Sequence, residues 1–211
     1  MSAIFETVVK PYDEVNTLLS YIESLPQDIY TYAVRFHFCF NLRIGELRAL
    51  TWDDVNMKDE TLCIHHQIIK ASDGTKRTWF DVSYTKCHKE TGIRMLPISE
   101  EAVKILKSVK VINGSKHYIF QGMNGAKWPV SEERFNDHLR RYCEAWGVTY
   151  HSSHKVRYLG ITKMYEAGID ESEIQRSAGH ASIDMTRKYI RDRRRLQVSN
   201  DDWEKIFGRN K

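Results

Sequence analysis

A stretch that is apolar on nearly every side constrains the fold most. Residues 29–40 read IYTYAVRFHFCF, so apolar side chains occupy almost every face of the helix that this stretch would form. Such a helix has to be enclosed by other elements, because none of its faces is suited to water. The chain has 211 residues, 41% of them hydrophobic, which is enough to enclose it in one core. We therefore predict one globular domain built around this helix.

Three short segments downstream alternate apolar and polar residues, as strands do. They cover residues 62–68, 78–84 and 92–98, with the turn sequence ASDGT after the first. This pattern predicts an antiparallel meander. The predicted helices are Gly45 to Val55, a segment opened by Ser99, another opened by Ser131 and ended by Gly147, and three in the last third, namely His154 to Glu166, Asp170 to Gly179 and one carrying Tyr189. We predict a mainly α domain with a small three-stranded antiparallel sheet, of the α+β class.

Positive charge is concentrated in one part of the chain. Between His151 and Arg195 ten Lys or Arg stand against six Asp or Glu, so this segment carries as much net charge as the whole chain, which is +4. A basic segment on patterned helices suits a polyanion such as nucleic acid, and a solvated charged face is the alternative.

Composition also bears on the compartment. No apolar run approaches the roughly 20 residues of a membrane span, and the N-terminus lacks the basic flank of a secretory signal. The cysteines are spread without close pairing, at Cys39, Cys63, Cys87 and Cys143. We expect a cytoplasmic protein with reduced thiols and no membrane association.

Several polar side chains stand where they need a partner or a ligand. Arg43 follows the buried helix, where a guanidinium is costly unless it is paired, and Glu46 lies one turn on. His154 and Arg157 are three residues apart and share one helical face, so both can serve one anion. A buried ion pair explains the first case equally well, and a core histidine with a surface arginine explains the second.

Two further features are ambiguous by themselves. Lys86 and Lys89 lie in the predicted turn between the second and third strands, where a lysine is usually solvated. His180 and Tyr189 stand nine residues apart near the end of the basic segment. They form either an attacking tyrosine with its supporting groups or an incidental aromatic on a basic helix.

Taken in order, these motifs resemble the catalytic domain of the tyrosine recombinases, the phage-integrase family. The motifs are LRIGEL around Arg43, a lysine on a hairpin, His154-x-x-Arg157 opening a helix, and SAGHASIDMTRKYI with His180 and Tyr189. The resemblance runs from about residue 35 to residue 191. It implies a site-specific DNA recombinase, or integrase, that cleaves and rejoins double-stranded DNA through a 3′-phosphotyrosyl bond, with no metal, ATP or cofactor.

The resemblance also implies residue roles. Tyr189 is the nucleophile, and a hairpin lysine protonates the leaving 5′-oxygen. We prefer Lys86 as this general acid, because it follows the alternating strand directly, and Lys89 is the alternative. The catalytic set is completed by four side chains that hold the phosphate, namely Arg43, His154, Arg157 and His180, with Glu46 supporting Arg43.

Domain organisation and assembly follow in the same way. Only 42 residues precede Arg43, so the resemblance implies that residues 1–211 are a catalytic domain without the family's N-terminal DNA-binding domain. We assign 1–195 to its core and 196–211 to a C-terminal tail. This tail either docks onto the protein's own core or, as the resemblance implies, is exchanged between protomers. We expect a monomer alone and a tetramer on DNA, encoded by a bacterial mobile element or a phage and serving integration or excision.

Three alternatives stay open. A type IB topoisomerase uses the same attack by tyrosine, and a catalytically silent DNA-binding module would need only the basic face. A zinc-stabilised domain is the third, although no pair of its ligands has the usual spacing. Its ligands would come from Cys63, His65, His66, Cys87, His88, His151 and His154.

Overall fold

The computed structural model of the chain describes residues 11–72, 77–82, 93–122 and 126–190. In these ranges the helices are α1 (Pro11–Ser24), α2 (Ile29–Phe40), α3 (Ile44–Ala49), α4 (Glu100–Asn113), α5 (Glu132–Trp146), α6 (Ser153–Glu166), α7 (Glu171–Ala178) and α8 (Ile183–Ile190), with a 3-10 turn at Trp52–Asp54. The strands are β1 (Val55–Asn56), β2 (Thr61–Ile64), β3 (Gln67–Ser72), β4 (Arg77–Val82) and β5 (Arg94–Pro97). Helices dominate, so the predicted class is confirmed.

Helix α2 is the centre of the packing. The Asp28 side chain caps it by accepting from the backbone N–H groups of Tyr30 and Thr31. Its residues Ala33, Val34 and Phe36 are completely buried, and α1, α3, α4, α5 and α6 all pack against it. The prediction of an enclosed helix is confirmed. Helix α1 was not predicted, although Leu18 and Ile22, one turn apart, form the apolar stripe that buries it.

The strands pair differently from a meander. Strand β2 pairs antiparallel with β1 and β5 in a three-stranded sheet, while β3 and β4 pair in a separate hairpin. The predicted single strand over residues 62–68 is therefore wrong, because the strand is interrupted between the end of β2 and the start of β3. Successive side chains of a strand point to opposite faces, whereas His65 and His66 both donate from Nε2 to the Asp54 carboxylate, at 2.7 and 3.0 Å.

The predicted helix from Gly45 to Val55 is also interrupted. Helix α3 ends at Ala49, and the Leu50 carbonyl accepts a hydrogen bond from the Ile119 backbone at 2.8 Å instead of one from its own helix. Asp54 then accepts from the backbone and hydroxyl of Thr51, which closes the 3-10 turn. A long-range backbone bond thus ended a helix that its apolar spacing would have continued.

The predicted helix ends are confirmed where local capping decides them. Ser99 and Ser131 cap α4 and α5, and Gly147 ends α5 in the left-handed region. None of the helices in the described ranges has both the length and the apolarity needed to cross a membrane. Cys39, Cys63 and Cys143 are free thiols. Lys86, Cys87, His88, Lys89 and the predicted tail at 196–211 lie outside the described residues.

Candidate functional site

A buried carboxylate lies at the base of the candidate site. Glu46, on α3, is completely buried and accepts from the Arg43 backbone at 2.9 Å and from Arg43 Nη1 at 2.8 Å. The predicted ion pair is present, and Arg94 adds a second partner by donating from Nη2 at 2.8 Å and from Nη1 at 3.3 Å. Burial by itself would raise the pKa of Glu46, but the charge of Arg94, followed by that of Arg43, holds this pKa at about 2. Glu46 is therefore charged.

The end of α7 gathers three guanidinium groups. Helix α7 ends in the left-handed residue Gly179, where φ is 63°. Three consecutive carbonyl oxygens each accept from a different arginine: Ser177 from Arg94 Nε at 2.8 Å, Ala178 from Arg157 Nη2 at 2.6 Å and Gly179 from Arg43 Nη2 at 2.9 Å. The last carbonyls of a helix carry partial negative charge, which favours cations there. This turn and Glu46 together hold the three positive charges close to one another.

Arg157 is almost completely buried. It lies on α6, is 2% exposed, and donates from Nη1 to the Asn41 carbonyl at 2.6 Å. Burial, followed by the charge of Arg43, lowers the pKa of Arg157 to about 10. Helix α6 passes so close to Asn41 that a Cβ on Gly160 would lie 1.5 Å from the Asn41 Oδ1. Any larger residue at position 160 would require the Asn41 side chain to move.

His180 is buried and neutral. Its Nδ1 lies 2.9 Å from the Thr186 hydroxyl, and its Nε2 has no hydrogen-bond partner among the described residues. Burial, followed by the charges of Arg157 and Arg43, lowers the pKa of His180 to about 3. The imidazole is therefore uncharged near neutral pH. If the Thr186 hydroxyl donates to Nδ1, the proton resides on Nε2, which becomes a hydrogen-bond donor.

Tyr189 covers this histidine. Its ring centroid lies 5.0 Å from that of His180 in a stacked arrangement, 5.2 Å from that of Tyr158 and 6.3 Å from that of His154. Tyr189 is half-buried, and the next residue, Ile190, packs in a small apolar cluster with Ile161 and Ile174. This cluster anchors α8 on α6 and α7, so it fixes where Tyr189 stands.

The predicted site residues on described segments converge. Arg43, Arg157, His180 and Tyr189 lie close to one another, and the exposed His154 lies beside Tyr189. The prediction missed Arg94, on β5. Its signal was the alternation in RMLP, in which Arg94 and Leu96 face inward while Met95 and Pro97 are exposed. An arginine at an inward strand position implies a buried partner.

A second polar cluster lies between β2 and β3. Asp54, His65 and His66 offer three metal-ligand atoms within 4.8 Å of one another. The Asp54 carboxylate already accepts four hydrogen bonds, two from Thr51 and one from each histidine. These bonds satisfy the buried carboxylate and close the turn between the strands. The zinc alternative included both histidines as ligands. The side chain that contacts both of them is Asp54, rather than one of the cysteines that this alternative named.

Acid should destabilise the protein through His37, a completely buried residue of α2. Burial, followed by the charge of Arg157, lowers the pKa of His37 to about 4. The unfolded chain takes up this proton near pH 6.5 and the folded chain does not, so the contribution of neutral His37 to stability is complete above pH 6.5 and is lost as the pH falls towards 4. We expect His37 to account for about 3 kcal/mol of that loss.

Urea denaturation of the wild type and His37→Phe between pH 7.5 and 4 measures this effect. The phenylalanine variant should lose less stability as the pH falls. A slope should remain, because the pKa values of His180, His138 and His151 are lowered in the same direction. Equal slopes of stability against pH for the two proteins would show that His37 is protonated as readily in the folded as in the unfolded chain.

Most of the chain is similar to proteins of a known family. The model of the family described as "Phage integrase family" matches residues 11–195. The chain is 24% identical over 163 residues to the transposase from transposon Tn916 of Enterococcus faecalis, covering 70% of this chain and 38% of the transposase. It is 24% identical over 181 residues to the ICEBs1 integrase of Bacillus subtilis, covering 79% of this chain and 46% of the integrase.

A solved structure shares the fold. The Tn1549 transposon integrase in complex with circular intermediate DNA superposes with a TM-score of 0.74 at 19% identity, over 92% of this chain and 64% of that one. The chain spans less than half the length of both curated relatives.

Proposed function

Because the chain belongs to the phage integrase family, we propose that it is the catalytic part of a site-specific DNA recombinase that cleaves and rejoins DNA to integrate or excise a bacterial mobile element. One observation carries the proposal: the half-buried Tyr189 stacks on the neutral His180 beside the clustered guanidinium groups of Arg43 and Arg157. A nucleophile next to concentrated positive charge is what attack on a phosphodiester requires.

Neutralising the phosphate is the first task of such a site. A phosphodiester repels nucleophiles because it is negatively charged. Three guanidinium groups surround the single carboxylate of Glu46, so this group of residues has a formal charge of +2. The Arg43 side chain is 16% exposed, and two of its five N–H groups are used within the described residues. Arg43 is therefore the arginine best placed to hold non-bridging oxygens.

Strand cleavage then follows as a balanced exchange. The Tyr189 hydroxyl gives its proton to solvent water as its oxygen attacks phosphorus. A bond forms between this oxygen and phosphorus, and the bond from phosphorus to the 5′-oxygen breaks. His180 and His154 donate to the phosphoryl oxygens as charge grows on them. A proton from the hairpin lysine completes the 5′-hydroxyl. The 3′-phosphotyrosyl bond keeps the phosphodiester energy, so a 5′-hydroxyl can reverse the step without ATP, and cationic side chains do the work of a metal ion.

Covalent trapping tests the proposal. The DNA substrate carries the end sequence of the element encoding the protein and a nick next to the cleavage site, so that the cleaved fragment diffuses away. Denaturing electrophoresis should show a protein–DNA adduct in buffer with EDTA. Adduct formation that needs added magnesium or zinc would contradict the mechanism, and DNA binding without any adduct would favour the silent DNA-binding module.

Assembly separates a recombinase from a type IB topoisomerase. We propose double-stranded DNA as the partner, a monomer in free solution and a tetramer on DNA, with the tail at 196–211 exchanged between protomers. The two curated relatives are named as a transposase and an integrase of bacteria, which favours recombination in a bacterial cytoplasm. Strand exchange between two DNA duplexes supports this proposal, whereas relaxation of supercoils without exchange supports the topoisomerase.

The general acid can be identified by the leaving group. Replacing Lys86 by alanine should slow cleavage of an ordinary phosphodiester strongly, by about 100-fold or more, because the 5′-oxygen then departs unprotonated. A substrate with a 5′-bridging sulfur should be cleaved almost normally, since a thiolate needs little protonation. Single-turnover rates with both substrates measure the rescue, and Lys89→Ala is the matched control. Rescue of Lys89→Ala and not of Lys86→Ala would assign the role to Lys89.

A further inference from the structure

We propose that Arg94 is a positioning residue of the phosphate site, which fixes Glu46 beside Arg43 and at the same time holds the end of α7 just before His180. This inference rests on the proposed function. It concerns a residue on β5, outside the set of catalytic candidates that the sequence suggested, and it follows from the bonds that Arg94 makes in two directions.

The first direction is towards Glu46. Arg94 Nη2 donates to Glu46 Oε2 at 2.8 Å and Nη1 donates to Oε1 at 3.3 Å, so one guanidinium holds both carboxylate oxygens. The same two oxygens accept from Arg43, Oε1 from Nη1 at 2.8 Å and Oε2 from the backbone at 2.9 Å. Each oxygen thus receives one bond from each arginine. The orientation that Arg94 imposes on the carboxylate therefore sets the direction of the Arg43 guanidinium.

The second direction is towards α7. Arg94 Nε donates to the Ser177 carbonyl at 2.8 Å, and the guanidinium packs under the turn that follows. A Cβ on Gly179 would lie 2.8 Å from Arg94 Nη1. This position therefore favours glycine for two reasons, its φ of 63° and its close contact with Arg94. The carbonyls of Ala178 and Gly179 come directly after Ser177 and hold Arg157 and Arg43. Arg94 therefore supports the segment on which both of these arginines depend.

Burial separates this role from phosphate binding. The Arg94 side chain is 6% exposed, compared with 16% for Arg43. Its Nε, Nη1 and Nη2 all donate inward, to Ser177 or Glu46. Loss of Arg94 should consequently alter the geometry of the site and leave the number of DNA contacts unchanged.

The expected effect falls on the rate of the chemical step. Arg94→Gln keeps a polar side chain, but it removes the charge and the simultaneous hydrogen bonds to Glu46 and to the Ser177 carbonyl. We expect the maximal rate of adduct formation to fall on the order of 10- to 100-fold, as for displacements of about 1 Å in a reacting geometry. The enzyme concentration that gives half of this rate should change less than about threefold. Arg94→Lys can pair with Glu46 but cannot also hold Ser177, so its rate should be intermediate.

Arg35→Gln is the matched control. Arg35, on α2, is 8% exposed like Arg94, and it pairs with Glu23 and Glu101, away from the site. Both glutamine variants remove a buried, ion-paired arginine, so both should lower the unfolding midpoint. Only Arg94→Gln should lower the maximal rate when both are assayed well below their midpoints.

The experiment is single-turnover cleavage of the nicked DNA substrate over a range of enzyme excess. A wild-type maximal rate in Arg94→Gln overturns the proposal, and so does a change confined to the half-saturating concentration, which would make Arg94 a DNA contact. An equal fall in Arg35→Gln overturns it as well. If Arg94→Gln does not fold, Arg94→Lys tests the proposal in its place. A wild-type rate in Arg94→Lys would contradict the need for contacts with both Glu46 and Ser177. Absence of adduct with the wild type counts against the proposed function instead.

Discussion

Tyr189→Phe should abolish the covalent protein–DNA adduct and leave DNA affinity nearly unchanged. The substitution removes only the hydroxyl that would attack phosphorus. The ring stays stacked on His180 and close to Tyr158, so packing of α8 is preserved. Denaturing electrophoresis of trapped complexes measures the adduct, and a gel-shift titration measures affinity. The expected loss is complete within detection, because no nearby group restores a phenolic oxygen at the same position.

Tyr158→Phe is the control for this experiment. Its ring lies 5.2 Å from that of Tyr189 and its side chain is exposed, which makes it a competing nucleophile close to the site. The control should keep forming the adduct. An adduct that persists in Tyr189→Phe and disappears in Tyr158→Phe or Tyr165→Phe would reassign the nucleophile to that residue.

Glu46→Ala should destabilise the folded protein by about 3–5 kcal/mol, the range found when one partner of a buried ion pair is removed. The carboxylate is completely buried and holds Arg43 and Arg94 together. Without it, guanidinium groups close to one another lose their counter-charge inside the protein, and Arg157 nearby adds to the repulsion. Urea denaturation at pH 7.5 measures the loss, and Glu46→Gln should show part of it.

Two comparisons make this prediction specific. Glu23→Ala removes a carboxylate that is 63% exposed and shares Arg35 with Glu101, so it should cost less than about 1 kcal/mol. The effect of pH has a defined sign, because the pKa of Glu46 is lowered to about 2 in the folded protein. Its contribution is complete above the ordinary carboxylate pKa and is lost as the pH falls towards 2. A Glu46→Ala variant as stable as Glu23→Ala would contradict the central role of this carboxylate.

Most of the helices and the order of the candidate residues were readable from the sequence. Caps such as Ser99, Ser131 and Gly147 act on backbone groups only a few residues away, so their effect can be recognised without knowing the fold. The apolar pattern of α2 likewise implied burial wherever the rest of the chain was placed. The Arg43 and Glu46 pair was predictable for the same reason, since Glu46 lies only three positions after Arg43, in the first turn of α3.

Only the tertiary structure decided how these pieces meet. The pairing of β2 with β5 and the entry of Arg94 into the site depend on partners far apart in sequence. The interruption at His65 and His66 depends on Asp54, which lies before β2 and outside either strand. Arg157 reaches the carbonyl of Asn41, 116 residues away. Local sequence patterns record how a segment interacts with its neighbours along the chain, and they do not record which distant backbone carbonyl or carboxylate will satisfy a buried guanidinium. That choice belongs to the packing of α6, α7 and β5 around α2, where burial makes every unpaired charge costly.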